Sequence, residues 1–173
     1  WVPLKLSGDP LPMTVCDSSA ICYDSKRDRL IFTTTPGGDN KSAEPAGQVW
    51  ACDLKTGECR KLSPANAAAL KPAGRFAREA VYLPKADLAM FGYLLDVDGK
   101  MVMPFYDCQE NKWLVGEIPG SEFINAKGKA GSSVDLGLAY DAKRDLVWGV
   151  LCALNKGCLN AIRVSRDGLV ELK

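Results

Sequence analysis

Tyr23-Asp-Ser-Lys-Arg-Asp-Arg-Leu-Ile-Phe32 returns as Tyr82-Leu-Pro-Lys-Ala-Asp-Leu-Ala-Met-Phe91 and again as Tyr140-Asp-Ala-Lys-Arg-Asp-Leu-Val-Trp148. The tyrosines stand 59 and 58 residues apart, so the 173-residue chain is built on an internal repeat. In each copy a short polar Lys-x-Asp segment separates two apolar stretches, which is the composition of a tight antiparallel hairpin; its arms are strands a and b. A second hairpin follows. In the first copy Gln48-Val-Trp-Ala-Cys52 leads through Asp53-Leu-Lys-Thr-Gly-Glu58 into Cys59-Arg-Lys-Leu62; in the second, Met101-Val-Met-Pro-Phe-Tyr106 leads through Asp107-Cys-Gln-Glu-Asn-Lys112 into Trp113-Leu-Val-Gly116. The two align without a gap. The third copy is shorter, with Leu159 to Val164, a Ser165-Arg-Asp-Gly168 turn, and Leu169 to Leu172. These arms are strands c and d.

Four short strands per repeat, joined by turn residues, predict an all-β chain of antiparallel β-propeller blades. The order Tyr-Asp-x-Lys-Arg-Asp-x-Leu, an apolar strand, then Tyr-Asp with Trp six residues on resembles bacterial kelch-type repeats over nearly the whole chain. The chain departs from that pattern in places: Gly37-Gly38 comes late, Gly92 and Gly149 stand alone, and Cys52 and Cys59 occupy the positions of Tyr106 and Trp113. The resemblance implies four-stranded blades, an inner strand a, and binding or scaffolding more often than catalysis. Residues 13–62, 63–117 and 118–173 are then three blades of one partial domain. Because Trp1-Val-Pro-Leu4 is similar to Trp113-Leu-Val-Gly116, residues 1–12 are expected to supply strand d of a preceding blade.

Propellers typically close with about four to eight blades, so three call for partners. The expected partners are the remaining blades, from an upstream part of the same gene product or from another subunit. A symmetric pairing of two three-blade halves is the alternative, though it leaves two strands d without an obvious home. The chain opens on Trp1 rather than Met and reads as a processed or excised piece.

Loop lengths nominate the binding face. The a–b and c–d turns are short, whereas Pro36 to Gly47, Ser63 to Gly74 and Pro119 to Ser132 are long and leave one end of the blades, the default place for function on a rigid scaffold. Ser63-Pro64 ahead of Ala65 to Leu70 predicts one helical turn with Ser63 as its N-cap. Arg75, Phe76 and Arg78, with Asp17 and Asp135 at comparable places in the other copies, are the candidate ligand-binding residues: paired guanidinium groups beside an aromatic suit a carboxylate or a sugar acid. The competing use for Arg78 and its neighbours is an inter-blade ion pair.

Other features narrow the chemistry. The chain has no histidine, which removes Ser-His-Asp and Cys-His catalysis and His-ligated metals from these residues; no catalytic residue, metal ligand or cofactor is assigned. With 22 basic and 21 acidic side chains the net charge of +1 argues against a nucleic-acid binder. No apolar run approaches the roughly 20 residues that span a bilayer. Asp96-Val-Asp-Gly99 is read as a type I′ turn, and Asp24, Asp53, Asp107 and Asp141 as carboxylates that accept hydrogen bonds from the next backbone N–H groups. Among 7 cysteines, Cys52 with Cys59 and Cys152 with Cys158 are placed to form disulfides across hairpins, which implies an oxidising, extracellular or periplasmic location. Cys16 and Cys22 lie too far apart to pair on one extended strand unless the chain bends between them, and Cys108 is unassigned. The expected function is a non-catalytic binding or scaffold module that offers its long-loop face to a protein or glycan. The alternative is the C-terminal part of a propeller enzyme, of sialic-acid-mutarotase or galactose-oxidase type, whose chemistry lies mostly in other blades.

Overall fold

A computed structural model describes residues 1–11, 19–34, 47–70, 79–92, 95–117, 135–153 and 156–173, and within them all side chains except those of Ser19, Thr34, Asp96, Met101, Asp135, Leu136, 150–153 and 156–158. The described residues are all-β apart from single 3-10 turns. The first sheet holds β1 (Ser7–Gly8), β2 (Ser19–Asp24), β3 (Arg29–Thr34), β4 (Val49–Asp53) and β5 (Glu58–Lys61), in the order β1-β5-β4-β3-β2. The second holds β6 (Ala80–Leu83), β7 (Leu88–Phe91), β8 (Leu95–Val97), β9 (Lys100–Asp107) and β10 (Lys112–Glu117). The third is a meander of β11 (Asp135–Asp141), β12 (Leu146–Ala153) and β13 (Lys156–Ile162). The last strand, β14 (Val170–Glu171), returns to the second sheet and pairs with β10. Every described pairing is antiparallel except that of β1 along β5.

The repeated sequence is the code for the hairpin turns. Tyr23, Tyr82, Tyr106 and Tyr140 each donate their hydroxyl to the residue five positions on, at 2.9 Å to Asp28, 2.7 Å to Asp87, 2.8 Å to Asn111 and 2.8 Å to Asp145. Those four acceptors have left-handed backbones, with φ of 52°, 56°, 50° and 55°, a conformation that Asp and Asn tolerate better than other non-glycine residues. The strand-end aspartates do what their position predicts. Asp24, Asp53, Asp107 and Asp141 each accept two backbone N–H groups from the turn that follows, at 2.9 to 3.3 Å. Asp98 and Gly99, at φ 52° and 78°, close the β8–β9 hairpin as the expected type I′ turn.

Because side chains alternate across a strand, each sheet presents two apolar faces, and the sheets stack on them. Ile31, Val49 and Ala51 of the first sheet share a core with Tyr82, Phe91, Tyr106 and Trp113 of the second. The opposite face of the second sheet, with Val81, Met90, Phe105 and Leu114, packs on Leu138, Tyr140, Val147 and Ile162 of the third. The row of each sheet that contains the repeat tyrosine therefore faces the preceding sheet: Tyr82-Ala89-Tyr106-Trp113 faces the first, and Tyr140-Val147-Ile162 the second. The corresponding row of the first sheet, Tyr23-Leu30-Cys52-Cys59, lies on the face turned away from the second sheet, with Tyr23 exposed and Cys52 and Cys59 buried.

Three details correct the sequence-based expectation. Leu169 to Leu172 does not give the third unit a strand d; Val170–Glu171 lies on β10 instead. Side chains explain the transfer: Arg166 donates to the carbonyl of Ala86 at 2.7 Å and pairs with the buried carboxylate of Asp107, while Leu172 enters the core of the first and second sheets. Ser63 is not a helix cap but sits at φ 45°, and the 3-10 turn spans Ala67–Ala69 behind Asn66. Asn66 is engaged elsewhere. Its amide bridges the carbonyls of Trp113 and Leu172 at 2.9 and 2.8 Å and accepts the Trp113 backbone N–H at 2.8 Å. The strand expected from Trp1 is also placed differently: residues 1–6 carry no strand, and Ser7–Gly8 runs along β5, where a Cβ on Gly8 would collide with the carbonyl of Cys59.

Candidate functional site

Three regions are candidates for a functional site. The first is the end of the sheets from which the connections 35–48, 62–79 and 118–134 leave. Of the residues expected to bind ligand there, Asp17, Arg75, Phe76 and Arg78 lie outside the described residues. Asp135 is the first residue of β11, paired with Cys152, and its side chain lies outside the described set.

The second region is a charge network that joins the hairpin turns. Arg27 spans Asp24 of its own turn at 3.1 Å and Asp87 of the second sheet, where two guanidinium nitrogens each reach a carboxylate oxygen at 2.7 Å. Lys26 adds a contact to Asp87 at 3.2 Å, and Arg29 holds Asp24 at 2.8 Å. Asp24 is fully buried and the Asp87 side chain is only 6% exposed, so both depend on these partners. The Arg27 guanidinium holds the Asp87 carboxyl far below the ordinary carboxylate value, and Asp87 in turn raises Arg27. Burial, followed by its hydrogen bond to Asp87, pushes Tyr82 up. One sheet further on, Lys85 reaches Asp145 at 3.1 Å, and Asp145 is lowered first by the Tyr140 hydroxyl and then by Lys85. The basic residues of the first and second repeat turns thus grip the aspartate of the next, a relation that the repeats do not reveal because its partners lie about sixty positions apart.

The third region is a cleft of about 460 Å³ on the outward face of the first sheet. Ile21, Leu30 and Phe32 form its floor, Leu54 and Cys52 one wall, and Leu4, Leu6 and Leu11 the other. The N-terminal segment approaches the β4–β5 turn closely, and Gly57, at φ 72°, leaves room for the carbonyl of Lys5. This cleft was missed from sequence. The available signal was that β2 and β3 are apolar on both faces, as strands covered on both sides are.

Cys52 and Cys59, directly opposite in the β4–β5 hairpin, form a disulfide, as the alignment with Tyr106 and Trp113 predicts. The side chains of Cys152 and Cys158, and all of Cys16, lie outside the described residues. In backbone register Cys152 stands opposite Gly157, and Cys158 opposite Leu151. Cys22 and Cys108 are buried free thiols in the core between the first and second sheets. Burial raises both, Cys108 to about 12, so neither is a ready thiolate. Among the described residues no three His, Cys, Asp or Glu side chains converge as metal ligands, and no helix is long and apolar enough to cross a membrane. No protein-family model and no curated protein matches the chain.

Proposed function

We propose that the chain is a binding or scaffold module, its stacked sheets acting as blades of a kelch-type propeller that present their long connections to a protein or glycan. One observation supports this above the rest: the carboxylates at the turn end are committed to structure. Asp24, Asp53, Asp107 and Asp141 each hold their own turn, and Asp87 and Asp145 each hold a neighbouring sheet. The longer connections leave the opposite ends of the strands, so that end is the one available to variable sequence. Arg75, Phe76 and Arg78, which belong to the connection between β5 and β6, are the residues proposed to recognise the acid group of a sugar acid, by bidentate hydrogen bonds and stacking. An extracellular or periplasmic location agrees with the Cys52–Cys59 disulfide.

The test is calorimetric titration with sialic acid and with glucuronic acid, on the chain and on Arg75→Ala/Arg78→Ala. Saturable binding to either acid, weakened about tenfold or more in the double variant, is the expected result. Equal binding by both proteins, or none by either, removes the sugar-acid recognition. Accelerated mutarotation of the free sugar would replace a binding module with an enzyme.

A further inference from the structure

The two outer faces of the three-sheet stack differ in kind, and each repeats one half of an interface that the molecule already builds. The outward face of the first sheet carries Tyr23 and Asp28, the equivalents of Tyr82 and Asp87 in the second sheet. Tyr82 is 6% exposed where Tyr23 is 48% exposed, and the Asp87 side chain is 6% exposed where that of Asp28 is 42% exposed. Asp87 is gripped by Lys26 and Arg27 from the neighbouring turn, whereas Asp28 has the Lys55 ammonium at 3.9 Å. The first sheet thus holds the receiving half, unfilled by the second or third sheet.

The giving half stands at the other end. The third sheet's turn, Tyr140-Asp-Ala-Lys-Arg-Asp145, differs from Tyr23-Asp-Ser-Lys-Arg-Asp28 at one position. Arg144 holds Asp141 at 2.8 Å as Arg27 holds Asp24 at 3.1 Å, and Lys143 and Arg144 are exposed. The strand face behind this turn has the same profile as the face of the first sheet that packs on the second. There Cys22, Ile31 and Ala51 are aligned in register, and here Ala139, Trp148 and Ala161 are, a large side chain between two small ones in each case.

We propose that the outward face of the first sheet is covered by the third sheet of a second copy of this chain, with Lys143 and Arg144 of one copy on Asp28 of the other and Trp148 entering the cleft over Ile21 and Phe32. The charges are complementary, and the apolar parts correspond to those of the existing interface between the first and second sheets. Two copies related by a twofold axis make this contact twice, so the six sheets close into a ring. The pairing of Ser7–Gly8 with β5 removes the obstacle to such an arrangement, because the one surplus strand of each copy has a place within its own chain.

Sedimentation velocity and native mass spectrometry of the purified chain, at micromolar concentrations and low salt, decide the matter. The expected species has twice the mass of the 18.7 kDa chain. Asp28→Asn is a mild probe, since Asn111 shows that asparagine holds the same backbone and the same tyrosine hydrogen bond. Asp28→Asn and Lys143→Ala/Arg144→Ala each weaken dimerisation about tenfold or more, with far-ultraviolet circular dichroism unchanged. Trp148→Ala does the same without altering the salt dependence. A monomer under these conditions overturns the proposal, and so does a dimer that ignores both charge variants.

Discussion

In the second sheet the tyrosine row faces another sheet, and in the first sheet the same row faces outward. The two hairpins that carry the ends of these rows differ accordingly. In β9–β10, Tyr106 stands opposite Trp113, with ring centroids 5.7 Å apart. Trp113 is fully buried, lies 5.4 Å from Phe91, and donates its indole N–H to the carbonyl of Gly47 at 2.8 Å. In β4–β5 the equivalent positions are Cys52 and Cys59, joined covalently. An aromatic pair stabilises a hairpin only when something covers it, since most of its contribution is burial. A disulfide restricts the unfolded chain and does not depend on burial for its contribution; Cys52 and Cys59 are themselves buried, but with no second sheet stacked on their face. The covered and the outward hairpin therefore use different physics at the same register position, and substitutions can separate the two.

The largest expected effect is at the covered hairpin. Trp113→Ala removes the central side chain of the core between the first two sheets and leaves the Gly47 carbonyl unpaired, and is expected to cost about 3–5 kcal/mol, a large fraction of the stability of a domain this size. Urea unfolding followed by circular dichroism measures it. A cost under about 1 kcal/mol would mean that the aromatic pair is dispensable and that the contrast with the disulfide has no energetic content.

At the outward hairpin, Cys52→Ala/Cys59→Ala is expected to cost about 2–3 kcal/mol, the loop-closure entropy of a short ring, and to do so without disturbing the Trp113 environment. Unreduced peptide mapping should recover Cys52 and Cys59 in one linked species. A shifted Trp113 indole N–H resonance in the native double variant, resolved by NMR from those of the other three tryptophans, would show that the two hairpins are coupled rather than independently closed.

Much of this architecture is legible in the sequence because turn chemistry is local. A tyrosine five residues before an Asp or Asn, an Asp that ends a strand, and Asp98-Gly99 each determine their turn through contacts within a few positions, so the repeats could be read one by one. The Cys52–Cys59 bridge was equally legible, because the gapless alignment of two hairpins transfers register from one to the other. Pairings determined by distant partners were not legible. Any sheet edge offers the same backbone groups to a two-residue strand. What sends Val170–Glu171 to β10 is Arg166 on Asp107, a contact across 59 positions. Ser63-Pro64 carries a local capping signal, yet Asn66, three residues on, is held by Trp113 and Leu172, and the 3-10 turn begins after it. The cleft escaped notice because the alternation of Ile21 and Tyr23 with Ala20 and Cys22 identifies a strand with two apolar faces, but not which face is left uncovered.

The turn aspartates extend the comparison at smaller magnitude. Asp87→Asn in the covered position leaves Arg27 and Lys26 short of a carboxylate, and is expected to cost about 2 kcal/mol at neutral pH; Asp28→Asn in the outward position, in the monomeric state, should cost under about 0.5 kcal/mol. The sign of the pH dependence follows from the depressed Asp87 carboxyl. Its contribution is fully present above the unfolded value of 3.8 and is lost as pH falls below that toward the folded value. The gap between the chain and Asp87→Asn should accordingly be widest near neutrality and close in acid, as unfolding curves collected from pH 7 to pH 2 would show. A gap that widens on acidification would mean that Asp87 is not the group held by Arg27.

The smallest contrast is one hydroxyl. Tyr82→Phe deletes a 2.7 Å hydrogen bond to a buried carboxylate, and Tyr23→Phe deletes a 2.9 Å bond to an exposed one. The aromatic ring and its packing stay in both, so the difference isolates what cover adds to the same bond in the same turn. In the covered turn Asp87 loses one of its donors and no water replaces it easily, for an expected cost of about 1–1.5 kcal/mol. In the outward turn water takes the place of the hydroxyl, and the change should stay within about 0.5 kcal/mol. Measured on the monomer, equal costs would show that Tyr23 is as well covered as Tyr82, and the outward face would then not be open to a second sheet. Measured again at concentrations where two copies associate, the Tyr23→Phe cost should rise toward that of Tyr82→Phe, because the docked third sheet excludes water from the same bond.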